Sequence, residues 1–98
     1  MRTMLRISME VEASNKAIKE NVIPRLVQQT NELIKPEATY FTADHGRRTA
    51  YFFFDLKDSS MLPQISEPWF SATNAYIEYL PVMNGEELRT GLERINKR

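Results

Sequence analysis

A chain of 98 residues with 42% hydrophobic and 27% charged residues has the size of one globular domain, able to bury roughly 65% of its unfolded surface. Thirteen Lys and Arg balance thirteen Asp and Glu, so the basic surplus expected of a nucleic-acid or acidic-membrane binder is missing. The chain has no cysteine, which excludes disulfides, thiolate zinc sites and cysteine nucleophiles, and one histidine argues against any transition-metal site. Met1 to Arg6 lacks an apolar signal core and no stretch is long enough to span a bilayer, so a cytoplasmic protein without a membrane partner is expected.

Residues 4–12 alternate, with Leu5, Ile7, Met9 and Val11 set against Arg6, Ser8, Glu10 and Glu12. This predicts a half-buried strand. Ser14 or Asn15 is placed to cap the helix that follows. Ile18, Val22, Ile23, Leu26, Val27, Thr30, Leu33 and Ile34 then recur at helical spacing. Pro24 removes a donor and crowds the carbonyl of Glu20, which predicts a kink or restart near residues 20–24. Pro36 disfavours helical geometry at Lys35 and should end the helix.

Residues 38–43 and 49–56 read as two strands around Asp44-His45-Gly46-Arg47-Arg48, where Gly46 supplies the positive φ of a short hairpin. Asp58, Ser59 or Ser60 can cap a second helix with Pro63 in its first turn. Leu62, Ile65, Trp69 and Phe70 form its inward stripe, and Pro68 is expected to break it. Residues 75–80 form a fourth strand, ended by Pro81. Asn84-Gly85-Glu86-Glu87 has the form of a capping box. It opens a tail helix with Leu88, Leu92 and Ile95 on one stripe and Arg94, Lys97 and Arg98 at its end, which suits the helix dipole.

This order of elements predicts an α+β, ferredoxin-like βαββαβ fold: a four-stranded antiparallel sheet, helices on one face and an extra C-terminal helix. Alternation directs Leu5, Ile7, Met9, Val11, Phe41, Ala50, Phe52, Phe54, Ile77 and Tyr79 to the helices, although for the second strand, with Phe41, either register fits. The opposite face then shows Arg6, Ser8, Glu10, Tyr40, Thr42, Tyr51, Phe53, Asp55, Tyr76, Glu78 and Leu80. The strand Thr49–Leu56 thus carries large rings on both sides, and its second side needs a cover. A second copy is the expected one, with Arg6, Tyr40, Tyr51, Phe53 and Tyr76 in the homodimer interface. Two such sheets face to face would make an eight-stranded barrel.

With its size, element order and two-sided central strand, the chain resembles the dimeric α+β barrel superfamily. The segments Lys35-Pro36-Glu37-Ala38-Thr39-Tyr40-Phe41 and Glu67-Pro68-Trp69-Phe70, with Pro81-Val82-Met83-Asn84, are also similar to small bacterial proteins without an assigned function. The resemblance implies a homodimer and, where there is chemistry, chemistry without a cofactor. It matches no catalytic motif, so no catalytic residue is carried over.

Three carboxylates, Asp55, Glu78 and Glu10, are candidates for a general acid or base on the open face, or for ion pairs with Arg6. Trp69, Phe41, Phe54 and Tyr79 are candidates to line a pocket for a small, largely apolar molecule between the broken helices and the sheet, the alternative being plain core packing. His45 lies at a hairpin tip and reads as a solvent-exposed turn residue. Arg47 to Phe54 partly matches an RNA-recognition strand but has Arg48 at the glycine and Thr49 at the first stacking ring, so no nucleic-acid partner is expected. The function expected is binding of a small apolar molecule by a homodimer, with or without catalysis. The alternative is an interaction or sensor protein whose aromatic face serves only assembly.

Overall fold

A computed structural model describes residues 1–96, so Lys97 and Arg98, expected at the end of the tail helix, lie outside the described residues. The chain runs β1 (Arg2–Ser8), α1 (Val11–Lys19), α2 (Val22–Ile34), β2 (Ala38–Asp44), β3 (Arg47–Asp55), α3 (Leu62–Thr73), β4 (Tyr76–Pro81) and α4 (Gly85–Asn96). The strands form one antiparallel sheet in the order β2-β3-β1-β4, the α+β arrangement expected of a ferredoxin-like fold, with β1 and β3 central. No helix among the described residues is long and apolar enough to cross a membrane.

Local chemistry explains most boundaries. β1 stops at Ser8, earlier than the alternation predicts, because Glu10 turns the chain into α1. Its carboxylate accepts from the backbone N–H groups of Glu12 and Ala13, both at 2.9 Å. Those two bonds hold its pKa below the usual carboxylate value. The expected caps, Ser14 and Asn15, are inside α1 instead, where Arg48 Nη1 donates to Ser14 Oγ at 2.7 Å and to Asn15 Oδ1 at 2.9 Å. The restart expected near Pro24 is present: α1 ends at Lys19, Asn21 takes a left-handed φ of 59°, and α2 begins at Val22. Lys35, before Pro36, also turns left-handed and closes α2. His45 and Gly46 both have positive φ, as a two-residue hairpin between strands requires. The break expected at Pro68 does not occur. α3 continues through it to Thr73, and Pro68 stays on the solvent side of the helix.

The core lies between the sheet and α2 and α3. Leu5, Ile7, Ala50, Phe52, Phe54, Ile65 and Trp69 are fully buried there. Burying a large apolar side chain of this kind contributes roughly 1.5–3 kcal/mol. Trp69 packs its ring 6.5 Å from that of Phe52 and donates its indole N–H to Thr30 Oγ1 at 2.9 Å, joining α3 to both sheet and α2. Tyr79 reaches Ser66 of α3 at 2.6 Å, and its partial burial pushes the phenol pKa up. Val11, counted with the inward strand residues, is exposed at the start of α1. Phe41 is also exposed, because β2 is an edge strand that the helices do not fully cover.

α4 behaves differently. Its capping box forms as predicted: Asn84 Oδ1 accepts from Glu87 N–H, and Asn84 N–H donates to Glu87 Oε1, both at 2.8 Å. Arg2, which also donates to Glu37 Oε1 at 3.1 Å, pairs with Glu87. Beyond this first turn the helix leaves the body, with Leu88, Leu92 and Ile95 46%, 51% and 57% exposed. The molecule is accordingly elongated, 56 × 27 × 18 Å.

Candidate functional site on the open sheet face

Antiparallel register decides what stands together on the face away from the helices. Arg6 of β1 lies between Tyr51 of β3 and Glu78 of β4, and Tyr51 is opposite Tyr40 of β2. One step along, Met4 lies between Phe53 and Leu80. In the other direction Ser8 lies between Thr49 and Tyr76. A charged centre is therefore surrounded by Tyr40, Phe53, Leu80 and Tyr76. Tyr40 and Phe53 meet edge to face at 6.4 Å, and Tyr40, Tyr76 and Leu80 are exposed.

The centre is a hydrogen-bonded cluster. Arg6 Nη2 donates to Asp44 Oδ2 at 2.7 Å, Arg6 Nη1 donates to Glu78 Oε1 at 3.1 Å, and Tyr51 Oη donates to Asp44 Oδ2 at 2.9 Å. A longer contact of 3.4 Å joins Arg6 Nε to Tyr51 Oη. The Arg6 side chain is only 17% exposed although no helix covers it, because the surrounding side chains enclose it. The Arg6 and Tyr51 hydrogen bonds hold the Asp44 pKa down at about 2, and Asp44 in turn raises that of Arg6. A carboxylate so strongly held in its ionised form is a poor proton acceptor at neutral pH. Glu78 bonds to Arg6 through Oε1 alone and is the better candidate to accept a hydrogen bond from a bound molecule.

The three carboxylates singled out from sequence do not converge. Glu78 belongs to the cluster. Glu10 is the cap of α1 and has left the sheet face. Asp55 sits at the far end of β3, where the Met1 amino group at 2.6 Å and Lys57 Nζ at 2.9 Å hold its pKa at about 2. Asp44 is the residue that sequence reasoning missed, having been assigned to the hairpin loop. Its parity was the available signal: Tyr40, Thr42 and Asp44 fall on one side of a strand extended by a single residue beyond Ala43. His45, 89% exposed at the tip, contacts Asp44 Oδ1 through Nδ1 at 2.7 Å. Arg6, Tyr40, Tyr51, Phe53 and Tyr76, expected at a dimer interface, share this open face.

The four residues expected around an apolar pocket do not together line one: Phe54 and Trp69 belong to the packed core, and Tyr79 packs against it. Trp69 and Phe54 are fully buried, Tyr79 is tied to Ser66, and Phe41 is exposed at the sheet edge. One cavity of about 400 Å³ lies between α2 and α3, lined by Leu26, Thr30, Leu33, Gln64, Ile65 and Pro68. A second, of about 390 Å³, lies at the hairpin end of the sheet, where Met9, Ile18, Ile23, Phe41 and Ala43 form an apolar groove. Of the four, only Phe41 lines either of them.

No family model matches this chain, and no curated protein and no solved structure matches it.

Proposed function

We propose that the chain is a homodimeric binding protein of the dimeric α+β barrel type. Its open sheet face closes against a second copy and holds a small, largely apolar molecule between the two faces. The observation that supports this reading is the Arg6–Asp44–Tyr51–Glu78 cluster, preassembled at the centre of an aromatic face that no element among the described residues covers. Binding sites combine apolar walls with a few fixed polar groups, and this face has both. The cluster contains two carboxylates against one guanidinium, so the molecule's polar end is a hydrogen-bond donor, a phenol or an aromatic amine rather than an acid.

A second reading has its own support. Arg6, Asp44, Tyr51 and Glu78 Oε1 already bond to one another, as they would in a face that serves only assembly. Native mass spectrometry and a thermal-shift series with naphthols and aromatic amines separate the two. A dimer whose melting temperature rises with naphthol supports binding, since a ligand of the native state stabilises it by mass action. That rise should shrink in Glu78→Gln. A dimer with no shift for any probe, or an equal shift in Glu78→Gln, overturns the binding site and leaves the assembly reading.

A further inference from the structure

Two apolar surfaces have no partner among the described residues, and they lie at opposite ends of the sheet. The first is the stripe on α4. Leu88, Leu92 and Ile95 recur at i, i+4 and i+7 on one side of the helix, while Glu86, Thr90 and Glu93 occupy the other. A 12-residue amphipathic helix is marginal alone in water and owes its stability to whatever its apolar side packs against. The second surface is the groove of Met9, Ile18, Ile23, Phe41 and Ala43, in which Ile18 and Phe41 are exposed.

A chain does not fill its own groove in this arrangement. α4 starts after Pro81, at the end of the sheet where β1 begins and where Arg2 pairs with Glu87. The groove is at the other end, beside Met9 and the β2–β3 hairpin, about 20 Å away along strands of seven residues. The helix, about 18 Å long, points away from the body.

Area indicates the occupant. The chain exposes 6712 Å², whereas a compact monomer of this mass exposes about 5,800 Å². The excess of about 900 Å² is close to the roughly 800 Å² that each partner buries in a standard interface.

We infer that α4 is an exchanged arm, which seats Leu88, Leu92 and Ile95 in the Ile18–Ile23–Phe41 groove of a second copy while that copy's α4 fills the first chain's groove. This rests on the homodimer of the preceding subsection and names a segment that builds it. A two-fold axis makes the exchange reciprocal, so both apolar surfaces are covered in each copy and none is left to propagate a fibre. Recognition is of the helix-in-groove kind, with three anchors on successive turns.

The absence of cysteine makes the test direct. The full chain carrying Leu92→Cys and Phe41→Cys, both at exposed positions, is oxidised mildly and run on a non-reducing gel. A disulfide-linked dimer is expected, and the off-stripe pair Glu93→Cys with Phe41→Cys should not form it. Leu92→Asp, with an unchanged circular dichroism spectrum, should weaken dimerisation at least tenfold. A fast-migrating, internally bridged monomer overturns the exchange. So does a chain that is dimeric by native mass spectrometry yet forms no Leu92→Cys/Phe41→Cys link, and that result leaves the homodimer standing. A monomer by native mass spectrometry removes the homodimer and the exchange together.

Discussion

Asp44 is the acceptor on which Arg6, Tyr51 and His45 converge, and its titration is therefore tied to the folded sheet. Its pKa falls to about 2 in the folded chain, below the value near 3.9 that an unfolded aspartate has. A group depressed on folding contributes stability that is present above the unfolded pKa and lost as pH falls through the folded one. The window for Asp44 is thus about pH 4 down to about pH 2. Asp55 titrates in the same window at the far end of β3, so a single acid-denaturation curve does not separate them. Asp44→Asn does. The variant should melt below the parent at pH 7, and the gap should close as both are taken from pH 4 towards pH 2. Melting curves followed by circular dichroism across that range check it. A gap that stays constant with pH would mean that the Arg6 and Tyr51 bonds do not hold this carboxylate.

α2 and α3 are joined through one buried hydrogen bond, and the pair depends on it more than its length suggests. Thr30 of α2 accepts from the indole N–H of Trp69 at 2.9 Å, with both side chains out of water. Thr30→Val keeps the shape and strands the donor, which should cost about 1–3 kcal/mol, the range for a buried polar group left unpaired. Urea unfolding should show a lower midpoint with an unchanged slope, because the surface exposed on unfolding stays the same. At this scale much of the molecule was legible in the chain. Strand order follows from the succession of elements, and the two sides of β1 and β3 follow from simple alternation of Leu5, Ile7, Phe52 and Phe54 against Arg6, Tyr51 and Phe53. What was not legible depends on three-dimensional neighbours. Alternation carries on through Met9 and Val11, although Glu10 has already turned the chain, since Glu is a less familiar cap than Ser or Asn. Phe41 has the parity of a core residue, but parity states a face and not whether a helix reaches it. Pro68 is compatible with α3 because neighbouring packing through Ile65 and Trp69 holds the helix on both sides of it. Of the four cluster residues only Asp44 was missed, and its place depends on how far β2 runs before His45 and Gly46 reverse it.

The whole molecule has a formal charge of zero, and its open face is balanced in the same way. Arg2, Arg6 and Arg47 share register rows with Asp44, Asp55 and Glu78, three cations against three anions. Two such faces neither attract nor repel strongly as wholes, so the proposed association of two copies would be driven by apolar area, from the rings on the sheet and the stripe on α4. This sets the sign of two dependences. When only the dimer is fully stable, the melting temperature rises with protein concentration by mass action. Apolar contacts are not screened, so the rise should persist from low salt to about 0.5 M, where charge-driven association would fade because the Debye length is only a few Å. Phe53 sits at the centre of this argument: it is on a central strand, on the open face, and in edge-to-face contact with Tyr40. Phe53→Lys puts a charge where the proposed second copy would pack, and it leaves the helix-facing core of Phe52 and Phe54 intact. The parent should gain several degrees between 1 and 100 µM in either salt, the variant none, with matching circular dichroism spectra for both. Scanning calorimetry at the two concentrations decides it. A parent that melts at one temperature throughout would place the apolar face against something other than a second copy.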